Sequence, residues 1–230
     1  MNIGFDVDGV LADVASFQLK NGEKHFAGRG IPLKDPRAFD VGGMFACTRM
    51  QRHLFWLKYI WRYCTSEPMT EGAAELSKRL KAEGHKITIV TARVFTDKDD
   101  LKGRLFRKML RDWLDKNGFV YDQIFYCLES EGRSNKIDIF LEQGVDIFID
   151  DKPSNLYGLM DKIPVICYPA PWNEELGDLD PYRVKDMCEV YDRIHAVELK
   201  LTAEEIAYLE EPYVPHPLAG VMAQNKAPAK

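Results

Sequence analysis

FDVDGV, residues 5–10, closes a short apolar run with two aspartates two positions apart and then a glycine. If Ile3–Val7 form a strand, side chains alternate between its faces, and Asp6 and Asp8 fall on one side where the strand runs out. Two carboxylates then share one site. Like charges held that close repel and disturb each other's ionisation, so a cation or a reaction must justify the arrangement.

Further apolar, β-rich runs occur at KITIVT (86–91), QIFYCL (123–128), DIFID (146–150) and PVICY (164–168). Helical patterns separate the later ones. Over 97–117, Leu101, Leu105, Met109 and Trp113 make one stripe with Phe106, Leu110 and Leu114 beside it, which suits a helix lying on a sheet. Shorter helices are expected near 71–83, 135–143, 154–161 and 184–197. Strand and helix in alternation predict an α/β fold, a Rossmann-like parallel sheet flanked by helices. In such sheets ligands bind beyond the carboxyl ends of the strands.

The same test applies to every strand end. KITIVT ends in Thr91, followed by Ala92 and Arg93; DIFID ends in Asp150, followed by Asp151. Lys136 sits fourteen residues before Asp150, where the helix feeding that strand should begin. Asp6, Asp8, Thr91, Lys136, Asp150 and Asp151 can therefore meet at one mouth of the sheet. Four ionised carboxylates carry −4; a divalent cation and Lys136 return +3, and a proton on Asp8 brings the sum to zero, ready for a dianion. Hard carboxylate oxygens suit Mg²⁺ better than zinc or copper. Phosphoryl transfer asks for this set: a nucleophile, a metal and fixed donors around the phosphorus.

In this order, DVDGV, the strand-ending Thr91, Lys136 and the Asp150–Asp151 pair resemble the four motifs of the haloacid dehalogenase superfamily of phosphatases. The resemblance covers roughly residues 1–195. Within that superfamily the chain is most similar to the 5'-nucleotidase group related to the cytosolic 5'(3')-deoxyribonucleotidases, through KIDIFLEQGVDIFIDDKP (136–153) and an insertion after the first strand. The resemblance implies Asp6 as nucleophile, Asp8 as general acid and base, and Thr91 and Lys136 on the phosphoryl oxygens. It further implies Mg²⁺ held by Asp6 and Asp150, the Asp8 main-chain carbonyl, and Asp151 directly or through water. Arg93 either reaches substrate or pairs with a carboxylate.

Each part alone has a plainer reading. An isolated DxD also marks metal sites in glycosyltransferases, a strand-ending Thr is usually a strand residue, and Asp-Asp before Lys-Pro is often a turn signal. A receiver-type signalling domain also places acids, Thr and Lys around Mg²⁺, but its phosphoacceptor Asp ends a middle strand. Here that strand ends in Thr91.

Residues 12–70 are too long for an ordinary connection and should form a small, mainly helical cap between core segments 1–11 and 71–198. The window holds nine Lys/Arg and five Asp/Glu, +4 within a chain of net charge −5, so the remainder is near −9. Nine aromatics accompany them, Phe17, Phe26, Phe39, Phe45, Phe55, Trp56, Tyr59, Trp61 and Tyr63, and could form either the core of the cap or a shelf for a flat ring. DPRAFDVGGMF (35–45) reads as a mobile cap loop, and His25, His53 and His85 as surface or cap residues. Residues 199–230 should be a C-terminal helix with a Thr202–Glu205 capping box, then an irregular tail resembling the end of some aldo-keto reductases. No barrel fits before it, so no reductase activity is inferred.

With 46% hydrophobic and 29% charged residues, the composition is that of a soluble globular protein, and net charge −5 disfavours a nucleic-acid polymer as partner. Five scattered cysteines without a CxxC pair read as reduced thiols. The N-terminus carries no cationic leader, and no apolar run approaches the ~18 residues of a membrane span, so a cytoplasmic location is expected. The expected protein is thus a phosphatase of a small phosphorylated substrate, a nucleoside monophosphate first and a sugar phosphate or surface-polysaccharide precursor second. A phosphoryl-binding regulator without turnover is the rival of another class, and homo-oligomerisation is left open.

Overall fold

The computed structural model describes residues 1–130 and 133–198, and side chains except at 129, 130, 133, 134 and 198. Strand β1, Asn2–Phe5, is followed by three helices, α1 (Val14–Phe26), α2 (Val41–Met44) and α3 (Arg49–Ser66). Then come α4 (Ala73–Ala82), β2 (Lys86–Thr91), α5 (Leu101–Lys116) and β3 (Gln123–Tyr126). A two-residue pair, β4 (Glu129–Ser130) and β5 (Arg133–Ser134), precedes α6 (Lys136–Glu142), β6 (Ile147–Asp150), α7 (Pro153–Leu159), β7 (Val165–Cys167) and α8 (Met187–Glu198). The long strands form one parallel sheet in the order β3-β2-β1-β6-β7. This is the expected fold class. Strand β1 is central: Ile3 stands opposite Ile87 on one side and Ile147 on the other.

Alternation along the strands sorts the core into two layers. Ile3, Phe5, Ile87, Ile89, Ile147 and Ile149 pack with α4, α5 and α8, whereas Val90, Phe148 and Val165 pack with Phe140, Leu156 and Leu159 from α6 and α7. Gly4 lies on this second face, where a Cβ would come within 2.9 Å of Phe140 and Val145. The helix over the sheet is turned from the expected stripe. Phe106, Met109, Leu110, Trp113 and Leu114 are buried, but Leu101 is 78% and Leu105 43% exposed. Leu101 is the first residue of α5, directly after the Asp100 cap, and contributes nothing to the buried face.

The inserted helices carry a cluster of their own, Phe26, Val41, Met44, Phe45 and Phe55. Where the insertion leaves and returns, its ends are tied: Thr70 N donates to Leu11 O at 2.9 Å and Thr70 Oγ1 to Val10 O at 2.6 Å. Thr48 and Gln51 form a capping box that starts α3. Across from the insertion, Phe39 meets Trp172 edge-on at 4.9 Å.

Several expectations change. Segment 35–45 contains α2, capped by Asp40, with Val41, Met44 and Phe45 buried. His25 is buried against Phe26, Phe55 and Tyr59, and His85 is buried 3.2 Å from the N-terminal amine, so neither is a surface residue; His53 is exposed. Burial, with Arg29 and Lys58 nearby, lowers the pKa of His25. The expected helix and tail of 199–230 lie outside the described residues. Among the described residues no helix is long and apolar enough to cross a membrane.

Candidate active site

The first strand ends two residues earlier than its apolar run suggests, but Asp6 N still donates to Ile149 O at 3.0 Å. That bond seats Asp6 at the sheet's carboxyl edge. The chain then turns through Gly9, whose φ of +93 belongs to the region glycine favours. A Cβ there would lie 2.2 Å from Asp151 Oδ2. The glycine after DVD therefore lets a second strand's carboxylate come up against the turn.

All of the expected residues except Asp8 are nearly or wholly buried, and the parallel strands bring them together. Lys136 Nζ lies 2.9 Å from Asp6 Oδ1 and 2.7 Å from Asp150 Oδ2. Asp150 is surrounded by donors: Oδ1 accepts from Lys152 N at 2.7 Å, and Oδ2 accepts from Lys136 and from Asn155 Nδ2 at 2.9 Å. Asp151 differs. Its main-chain oxygen accepts from Asn173 Nδ2 at 2.8 Å and Trp172 Nε1 at 3.2 Å, while its buried Oδ2 meets no hydrogen-bond donor among the described residues. Thr91 closes β2, fully buried, and its Oγ1 accepts from Arg93 N at 3.2 Å. Arg93 pairs with Asp8: Nε and Nη2 stand 3.0 and 2.9 Å from Asp8 Oδ1.

The electrostatics follow from this crowding. Burial, together with Asp150 and Asp8 and against the pull of Lys136, pushes the Asp6 carboxyl up to about 7. Asp151 is raised well above the usual carboxylate range by burial, then by Asp150 and Asp6. Burial disfavours the charge on Lys136, but Asp150 and Asp6 outweigh it and its pKa rises. Four carboxylates face two buried cations, because Arg93 adds a charge that the motif arithmetic omitted. One divalent ion then balances the site without calling on a proton at Asp8.

The donor set fits such an ion. Oxygens from Asp6, Asp150 and Asp151 all lie within 4.8 Å of one another, all buried, and Asp151 Oδ2 is an unmet acceptor. An all-oxygen set of this kind suits a hard cation of the Mg²⁺ type. A cavity of about 510 Å³ opens above them, within the range of small-molecule sites. Its walls include Phe39, Trp56, Ile60 and Phe95, with Arg49, Arg52 and His53 from the start of α3. Most of the aromatics of the insertion are core, while Phe39, Trp56 and Tyr63 line this space.

Sequence reasoning passed over Tyr63 and Asn155. Tyr63 Oη donates to Asp8 Oδ1 at 2.5 Å, but in HLFWLKYIWRYC nothing separates it from its packing neighbours. Asn155 was discoverable: five residues after Asp150, in the first turn of α7, it must face the strand end it follows.

The fold is that of haloacid dehalogenase-type hydrolases. A haloacid dehalogenase-like family hydrolase from Streptococcus pneumoniae superposes with a TM-score of 0.58 over 84% of this chain and 97% of its own, at 17% identity. No protein-family model matches the chain. Among curated proteins it is similar to one from Chlorobaculum tepidum named "Putative 5'(3')-deoxyribonucleotidase", 26% identical over 84% of this chain and 90% of that one. It is likewise 27% identical to a "Putative nucleotidase" of Bacillus cereus over 77% of this chain and 90% of the relative. A relative of another kind, named as an aryl-alcohol dehydrogenase of Schizosaccharomyces pombe, shares only 49 residues at 43% identity, 14% of its length.

Proposed function

We propose that the chain is a Mg²⁺-dependent phosphomonoester hydrolase that works through an aspartyl-phosphate and acts on nucleoside monophosphates. One observation carries the reading: oxygens of Asp6, Asp150 and Asp151 converge, Lys136 pairs with Asp6 and Asp150, and Asp6, Asp151 and Lys136 line a cavity together with Asp8 and Thr91. A structural scaffold would not gather so many buried charges, which are costly unless paired or used.

In this reading an Asp6 oxygen attacks phosphorus, the bond to the leaving oxygen breaks, and a proton from Asp8 follows the electron pair onto that oxygen. Water then attacks the aspartyl-phosphate, giving its proton to Asp8, and the bond to Asp6 breaks to release phosphate. Thr91 and Lys136 hold phosphoryl oxygens; losing one such donor typically costs on the order of 100-fold in rate. Asp6 and Asp151, with the Asp8 main-chain carbonyl, would hold Mg²⁺. Asp150, already engaged by three donors, would serve chiefly to fix Lys136 and Asn155. When bound, the ion neutralises phosphoryl charge. Residues 12–70 act as the cap, and Phe39 and Trp56 beside Arg49 and Arg52 suit an anion that carries a flat ring. The names of the two nucleotidase relatives support that choice.

Phosphate release should be measured over nucleoside monophosphates and sugar phosphates, with Mg²⁺ and with EDTA. Nucleotide preference and dependence on Mg²⁺ are expected; preference for sugar phosphates would move the substrate class. In single turnover Asp6→Asn should lose about 10³-fold or more. Rates equal to wild type would remove Asp6 as nucleophile.

A further inference from the structure

Asp8 presents its two oxygens to quite different surroundings. Oδ1 accepts from the Tyr63 hydroxyl at 2.5 Å and from Arg93 Nε at 3.0 Å, and the charged Arg93 Nη2 stands 2.9 Å away. Oδ2 takes no hydrogen bond among the described residues. The two residues on Oδ1 are 3% exposed each, so solvent does not compete for it. They also hold each other, since the Arg93 guanidinium lies 4.7 Å from the Tyr63 ring centre and 5.4 Å from that of Trp113 on α5. Arg93 is further anchored through its own N–H to Thr91 Oγ1. Tyr63 comes from α3 in the insertion, and its ring is packed against Phe17 at 4.8 Å and Trp56 at 6.0 Å.

We infer that Tyr63 and Arg93 are positioning residues that lock Oδ1 of Asp8 and reserve Oδ2 as the atom that moves the proton. The inference rests on the reading of Asp8 as general acid and base. A carboxyl free to rotate could offer either oxygen and would spend much of its time misaligned, and positioning of this kind contributes strongly to rate. With Oδ1 held by two hydrogen bonds and the guanidinium charge, the proton on Oδ2 passes to the leaving oxygen as the phosphorus–oxygen bond breaks, and Oδ2 later accepts one proton from the attacking water. Because Tyr63 belongs to the insertion, the proton carrier is oriented by an element outside the sheet that supplies the nucleophile.

A general acid matters most when the leaving group is a poor one. The test therefore compares p-nitrophenyl phosphate, whose phenolate leaves unaided, with benzyl phosphate, an alkoxide leaving group of nearly equal size, on the full chain with Mg²⁺. Tyr63→Phe keeps the ring and removes one hydroxyl. Its kcat on benzyl phosphate should fall about tenfold more than on p-nitrophenyl phosphate, a part of the 10²–10⁴ that a general acid supplies, with KM for both within about twofold. Arg93→Met should show the same bias. Equal losses on both substrates, or none on either, would overturn the inference. Asp8→Asn run in parallel separates the two levels: if it lacks the leaving-group bias, the acid role of Asp8 itself fails.

Discussion

Lys136 is the residue on which the charge balance of the site turns, 2% exposed and wedged between Asp6 and Asp150. Removing one member of a buried ionic set leaves the others uncompensated, at a cost of about 3–5 kcal/mol. Lys136→Met, similar in volume, should therefore lower Tm by roughly 10 °C in calorimetry with EDTA. The loss should shrink when Mg²⁺ is added, since the cation offsets the same carboxylates; an unchanged Tm would mean that the lysine is not paired as described. At this scale much was legible in the sequence. Asp6, Asp8, Thr91, Lys136 and the Asp150–Asp151 pair stand out because parallel strands must end on one side, and polar residues there need a purpose. The different hydrogen bonding of Asp150 and Asp151 was not legible: it depends on Asn155, the Lys152 amide and Gly9 closing on particular oxygens, and spacing along the chain does not encode that.

Helix α5 shows the limit of pattern reading for an element. Seven apolar positions make a broad stripe, and their periodicity alone leaves open where its centre lies. Packing against α3 and the sheet selects Phe106, Met109, Leu110, Trp113 and Leu114, and leaves Leu101 and Leu105 outside. Leu110→Ala should cost about 2–5 kcal/mol, and Leu101→Ala no more than about 0.5 kcal/mol, measured by urea denaturation. Comparable costs for the two would contradict the burial described. The long strands and the helices of the core were placed to within a few residues by apolar runs and their breakers, whereas the insertion was expected only as mainly helical and α1 and α2 were not placed. The pair β4 and β5 went unseen because two-residue strands have no periodicity to detect. His25 lies in the insertion, as one of the expected alternatives had it, but His85 was misplaced because its burial depends on a segment brought in from far along the chain.

Over the whole molecule, the raised carboxyls link stability to pH and to the cation. Asp6 has a folded pKa of about 7 against an ordinary value of 3.8. Between those values the metal-free folded state keeps a proton that the unfolded chain has released. The stabilisation from that proton is full below the unfolded value and is lost as pH rises through the folded one. A divalent cation must displace it, so binding strengthens with pH. The rise in Tm on exchanging EDTA for Mg²⁺ should accordingly be several degrees larger near about pH 8 than near about pH 5.5. An equal rise at both would show that no raised carboxyl contributes to the cation site.

The central place of β1 also bears on how the molecule is made. Asp6 follows β1, yet the strand that completes the far side of β1 is β6, Ile147–Asp150, roughly 140 residues further along the chain. Until that strand has been synthesised, one edge of an apolar strand has no neighbour, the kind of edge that invites intermolecular pairing. Contacts so distant in sequence also slow closure of the sheet. Nascent chains that stall before β6 are thus the species most in need of chaperone protection, and the carboxylate cluster is complete only when the sixth strand docks.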